Sequence, residues 1–292
     1  MEWQEILMRL LRNKISLFGL IIIAFFVVVA LFAPWIAPPR DPDDPYEIPR
    51  AGWVIEPQPP NARNIFGTTE GSYDIFYGVV WGTRTAFRVG LIVVGISTFI
   101  GIIVGTISAY YGGWVDEIIM RITDIFMSIP FLVAAMVLTT ILGKGITNVM
   151  IALVVFGWMG TARLMRSQVL EIKTEEFVRA AMALGASDAR IIMRHILFNC
   201  IFPVLIQASM RMGSMVITFA TLSFLGVGAP EGYADWGQMI SFARNWILGS
   251  NGNALQYWYT VVIPGVAILL FCLSWNLIGD AFRDILDPKL QN

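Results

Sequence analysis

Charge is scarce in this sequence. Of its 292 residues only 14% are Asp, Glu, Lys or Arg, where a soluble domain carries about a quarter. The balance of −1 and the lack of interleaved basic and aromatic stretches offer no face for nucleic acid. Histidine occurs once, at His195, which excludes a His-based triad, an HExxH zinc site and a histidine relay. Cysteine occurs twice, at Cys200 and Cys272, each in an apolar stretch and without a CxxC partner. Buried, reduced thiols are therefore expected, not a metal site. A GxxxxGK[ST] phosphate loop is missing too; Gly143-Lys144-Gly145 is only a glycine-flanked lysine. No cofactor is expected in this chain, and ATP with Mg must be bound by another protein if it is used.

What is abundant is apolar residues, 57% of the chain with a mean hydropathy of +0.68, gathered into runs instead of spread at helical or strand spacing. A bilayer core takes about 20 apolar residues per helix. Runs of that kind cover 15–37, 87–111, 118–142, 146–165, 201–227 and 257–278. The fold class read from them is all-α, a polytopic membrane protein with six transmembrane helices. The first run is too long for the apolar core of a cleaved leader and reads as a retained anchor. Residues 38–86 are rich in proline and acids and read as an extramembrane loop. The chain then divides into 1–37 (a terminal segment and first helix), the loop 38–86, a five-helix core at 87–279 and a tail at 280–292.

Lys and Arg in short loops set orientation. Arg163, Arg166, Lys173, Arg179, Arg190 and Arg194 crowd one loop, and Arg9, Arg12 and Lys14 precede the first run. The loops after the third and fifth runs carry Lys144 and Arg244 alone. Both termini and the loop 167–199 are expected in the cytoplasm. Within that loop Thr174 is a candidate N-cap, with Glu175 and Glu176 in the first turn of a short helix that stops at Gly185. Ser187 or Asp188 caps a second short helix through Ile196. Two short helices joined at a glycine make a knob. Its small residues and exposed apolar ones suit docking on another protein, and a loop lying on the membrane surface is the equal alternative on periodicity alone.

Arg179-Ala180-Ala181, three residues and then Gly185 resembles the EAA loop of ABC-importer permeases, the element that docks on the ATPase subunit. The likeness continues in Arg163-Leu164-Met165-Arg166, Leu184-Gly185-Ala186-Ser187 and Arg194-His195-Ile196-Leu197. Further motifs are Phe66-Gly67-Thr68, Gly82-Thr83-Arg84, Phe224-Leu225-Gly226, Trp236-Gly237, Asn276-Leu277-Ile278-Gly279-Asp280, Arg283-Asp284 and Asp287-Pro288. In order and spacing they resemble the C-type permease subunit of dipeptide, oligopeptide and nickel importers. The departures are Arg179 where many members have Glu, Phe198 in place of a proline, Thr69 and Ser72-Tyr73 interrupting a Gly-Thr-Asp pattern, and Phe219 where an acid is common.

The resemblance implies a second homologous permease subunit, two ATP-binding subunits and an extracytoplasmic peptide-binding protein as partners, within a lipid bilayer. It implies that Ala180, Ala181 and Gly185 permit close approach to the ATPase, with Glu176, Arg179 and Arg190 candidates for ion pairs across that contact and His195 hydrogen-bonded inside the knob. Arg211 is the one cation well inside a predicted span, and a charge at that depth is functional by default. It is read either as meeting a peptide carboxylate or as pairing with an acid or carbonyls of the partner, with Met212 and Met215 beside it as a yielding wall. Gly101 and Gly105 form a small-xxx-small pair for close helix packing. Asp280, Arg283, Asp284 and Asp287 read as a helix cap and tail. An ion-driven carrier is the competing class, but the spans hold almost none of the acids such carriers place inside helices. An intramembrane enzyme is weaker still with a single histidine.

Overall fold

The computed structural model describes residues 13–249, 253 and 255–286; Arg9, Arg12 and Asp287-Pro288 lie outside them. The described residues are helical, with isolated bridges and no strands. Helix α1 (Lys14–Ile36) is capped by Asn13, whose side chain accepts from the Ile15 amide at 2.9 Å. It buries a single stripe, Ser16, Gly19, Ile22, Phe26 and Ala33, and turns the rest of an almost wholly apolar surface outward, as a lipid-facing helix must.

Helix α2 (Ile75–Tyr111) starts well before the hydrophobic run at Phe87, because Asp74 caps it by accepting from the Tyr77 amide at 2.9 Å. Its 37 residues span about 55 Å at 1.5 Å each, more than a hydrocarbon core of about 30 Å. The extra turns are embedded in the loop 38–74, not in lipid. There Trp81 donates to the Ala37 carbonyl at 2.9 Å and Tyr77 to that of Pro45 at 2.7 Å. That loop is itself tied to residues 232–234. The Ile48 amide donates to the Gly232 carbonyl, the Ala234 amide to that of Tyr46, and the Tyr46 and Tyr233 rings stack at 5.1 Å.

The third predicted span is broken. Helices α3 (Gly113–Met127) and α4 (Phe131–Leu142) meet at 84° around Pro130, since proline has no amide to donate and its ring collides with the preceding turn. Helices α5 (Ile146–Gly157) and α6 (Met159–Ile172) together make the next span, interrupted at Trp158. Short α7 (Glu176–Ala183) follows. Then comes α8 (Asp188–Phe224), π-helical over Ile191–Ile196 and containing Pro203. The second short helix expected from sequence is thus the opening of α8. Helix α9 (Trp236–Phe242) lies across its far end, and α10 (Tyr259–Leu286) carries helix through Asp280, Arg283 and Asp284, where a cap and tail were expected. Counting the bent pair as one, the described residues hold six candidate spans.

Lipid tails compete with apolar side chains, so helices associate through close packing of small residues. A Cβ on Gly101 would sit 2.6 Å from that of Thr161, and one on Gly105 would strike the Ala162 carbonyl, so the glycine pair presses α2 onto α6. Gly213 brings α8 onto α10, where a Cβ would lie 2.9 Å from the Cys272 Cα. Cys200 and Cys272 are buried free thiols, as expected from the sequence.

Gly105→Ala is expected to lower the detergent-solubilised thermal midpoint, through an overpacking cost of about 1–3 kcal/mol. Gly95→Ala, which meets nothing within 4 Å on the same helix, should not. A second expectation concerns Asp235, the buried N-cap of α9, which accepts from the Gln238 amide at 2.9 Å. Burial pushes its carboxyl up to about 6. Its charged form is thus disfavoured by folding, a cost present above pH 6 and relieved as pH falls through 6. The midpoint should rise between pH 7 and 5, and Asp235→Asn, which keeps a cap acceptor, should flatten that slope.

Candidate functional site

The knob is built from local rules and anchored at one side. After α6 the Thr174 hydroxyl donates to the Glu171 carbonyl at 2.8 Å, and Glu175, not Thr174, is the extended cap residue of α7. Gly185 ends α7 at φ +77. The Gly185 amide donates to the Met182 carbonyl and the Ala186 amide to that of Ala181, the paired bonds of a left-handed helix stop. Val178, Ile191 and Ile196 point inward onto Tyr110, Met165, Val169 and Cys200. The Tyr110 hydroxyl donates to Asp188 at 2.7 Å, and Lys173 donates to the Tyr110 carbonyl.

The other face is open. Leu184 is 87%, Phe198 73% and Met193 67% exposed, a costly display of apolar surface for water to cover. Ala180, Ala183 and Gly185 are exposed beside them, and a Cβ on Gly185 would meet nothing within 4 Å. These small residues therefore serve no packing within this subunit. Ala181 differs, being half-buried against the anchor. Glu176, Arg179 and Arg190 are exposed and make no ion pair among the described residues. The His195 ring stands 6.4 Å from that of Phe177. Within the knob the His195 carbonyl accepts from the Asn199 side-chain amide at 2.6 Å, while its ring makes no hydrogen bond among the described residues.

Two ion pairs that sequence reading missed brace α3 on α6. Asp116 takes both arms of Arg166, at 2.6 and 2.5 Å, and also the Ser108 hydroxyl; Asp124 takes Arg163 at 2.5 Å. The two arginines stood out as a motif, but their partners lie 50 and 39 residues away, beyond any local pattern.

Arg211 lies at the breaks. Its guanidinium donates to the Thr161 hydroxyl at 2.7 Å and to the carbonyl of Gly157, the last residue of α5. Both contacts are made within its own subunit, through a hydroxyl and a backbone carbonyl. The side chain lines a cleft of about 330 Å³ with Pro130, Phe131, Phe156, Met159 and Met215. Met212 is not on this wall; it is buried with its Cε methyl packed on Gly90 of α2, and Phe219 is sealed in the core.

Residues 97–292 match the family described as binding-protein-dependent transport system inner membrane component, and residues 2–60 match the N-terminal TM domain of oligopeptide transport permease C. The chain belongs to that family of multi-pass inner-membrane transport components. It is 36% identical to the dipeptide transport system permease protein DppC of Alkalihalophilus pseudofirmus, covering 99% of this chain and 91% of that one. It is 38% identical to the probable D,D-dipeptide transport system permease protein DdpC of Escherichia coli, over 95% and 88%. To the oligopeptide transport system permease protein OppC of Bacillus subtilis it is 33% identical, over 99% and 90%. The likeness to C-type permeases read from the motifs is therefore borne out. The crystal structure of an amino acid ABC transporter shares the fold, with a TM-score of 0.54 at 15% identity over 72% of this chain and 94% of that one.

Removing one partner of the half-buried Asp116–Arg166 pair leaves the other uncompensated. Arg166→Met should destabilise the purified subunit by about 2 kcal/mol, and the double variant with Asp116→Asn should recover part of that loss in a thermal double-mutant cycle.

Proposed function

We propose that this chain is one of two permease subunits that together line the route of an ATP-driven importer of short peptides. The peptide class is supported by the names of relatives that match nearly the whole chain. The coupling role is carried by one observation: the knob is rigidly anchored through Val178, Ile191 and Ile196 yet leaves Leu184, Met193 and Phe198 uncovered beside Ala180 and Gly185. A helix resting on lipid headgroups would pair large apolar residues with a basic face. A face of small and apolar residues with mixed charges fits the groove of a protein instead.

On this reading both termini and the knob lie in the cytoplasm, as the excess of Lys and Arg there requires. Two ATPase subunits bind ATP and Mg, and one of them docks on Ala180, Ala181 and Gly185 and supplies charged partners for Glu176, Arg179 and Arg190. Their closure moves the knob as a rigid body, and that differential contact biases the balance of inward-facing and outward-facing states. A binding protein delivers the peptide on the opposite side, and a second, homologous permease completes the route.

Purification of the subunit from its native membrane should bring with it two ATPases and a second permease, identified by mass spectrometry. Recovery of the chain alone, still moving solute on an ion gradient, would replace this reading with an ion-driven carrier. Gly185→Glu forces a side chain into a left-handed backbone at a cost of about 1 kcal/mol and sets a carboxylate on the docking face. The variant should reach the membrane but lose ATP-driven import, whereas Gly185→Asn, which tolerates that backbone, should retain most of it.

A further inference from the structure

Arg211 carries a charge that nothing described in this chain neutralises. The Thr161 hydroxyl and Gly157 carbonyl hold it in place but leave its charge intact. Carboxylates on the surrounding helices are engaged elsewhere: Asp116 with Arg166, Glu117 with Arg121, Asp124 with Arg163. Helices α4 and α5 and residues Leu197–Phe224 contain none, and Glu171 sits at the far end of α6. A guanidinium has five N–H donors in a fixed fork, so the two bonds it makes leave donors for another acceptor.

The surroundings add positive potential. Helix α4, 12 residues long, begins at Phe131 on the cleft wall, and its cap position, Pro130, makes no side-chain hydrogen bond. Its first-turn amides and the positive end of its dipole are therefore open. The N-terminus of a broken helix at membrane depth suits an anionic group. Phe126, Phe131, Phe156, Met159 and Met215 complete the wall with aromatic and thioether surface, which yields to side chains of different shape. At about 330 Å³ the cleft is at the small end of ligand pockets, matched to one end of a peptide.

Resting on the peptide-import reading, we infer that this cleft is a carboxylate subsite on the translocation route, with Arg211 receiving the C-terminal carboxylate of the passing peptide. The bond is made and released without covalent change.

The test uses the whole transporter, this subunit with its partner permease, ATPases and binding protein, reconstituted in vesicles. Import of dialanine is compared with that of dialanine amide, for the wild type and for Arg211→Gln. The binding protein is the same in both, so its own preference cancels when the two carboxylate-to-amide ratios are divided. The ratio should fall about tenfold or more in the variant, the worth of one charge-assisted hydrogen bond. Equal loss of both peptides would make Arg211 a purely structural residue or the partner of an acid on the second permease, and would overturn the subsite while leaving peptide import standing. Import of neither peptide by the wild type would overturn both. Phe126→Glu leaves Arg211 and its contacts in place and puts a carboxylate on the cleft wall. It must lower the same ratio even if Arg211→Gln fails to assemble, and an unchanged ratio there also overturns the subsite.

Discussion

The contact on which the other features depend is the seating of α6 against α2. Gly101 and Gly105 remove the side chains that would hold the helices apart, and Thr161 and Ala162 fill the space. In lipid this contact is not driven by exclusion of water, so its strength is the closeness of the fit. It fixes the height of α6, and with it two distant things. At one end it sets Arg166 opposite Asp116 and Lys173 at the Tyr110 carbonyl, the platform of the knob. At the other it sets Thr161 and the break after Gly157 beside Arg211.

This arrangement places knob and cleft on a single rigid element. From Thr161 to Ile172 there are three turns of uninterrupted helix, about 16 Å at 1.5 Å per residue, between the side chain that positions Arg211 and the start of the knob. A close-packed helix moves as a unit, not by bending. On the proposed coupling, displacement of the knob therefore reaches the cleft through backbone and not through a relay of side chains. The ion pairs to α3 extend the same unit. Asp116 and Asp124 tie the first half of the broken span to α6, which leaves the 84° corner at Pro130 as the place where α4 can differ in direction.

Hydropathy alone located the six spans, because lipid-facing surface has to be apolar whatever lies behind it. It misplaced their ends where protein replaces lipid. Ile75 to Ala86 are helix, but with Thr83, Arg84 and Thr85 among them they score as loop, and their partners are tyrosines and tryptophans of a loop that no local pattern pairs with them. The knob was legible since its signals are local: acids at a helix start and a glycine at φ +77. Arg211 stood out because a cation inside an apolar run is expensive. Its neighbours did not, since Gly157 and Thr161 are unremarkable residues 54 and 50 positions away. The break at Trp158 has no proline to announce it, and of Met212 and Met215, neighbours on one face of α8, only Met215 lines the cleft.

On the proposed carboxylate subsite, the holding of Arg211 by a carbonyl and a hydroxyl, when a carboxylate would hold it more tightly, follows from what a transport route requires. A permanent carboxylate partner would cancel the field in the cleft and leave no reason for an anion to enter. An unheld arginine would lose side-chain freedom on each binding event and hold the solute less well. Neutral acceptors fix the fork and preserve the charge. The cost of keeping that charge at membrane depth is lowered by these two bonds but not removed. The remainder is what an arriving carboxylate relieves. On that proposal part of the cost has already been met within the subunit, so the carboxylate would bind firmly enough to enter and loosely enough to leave, the compromise that any site on a conduction path has to strike.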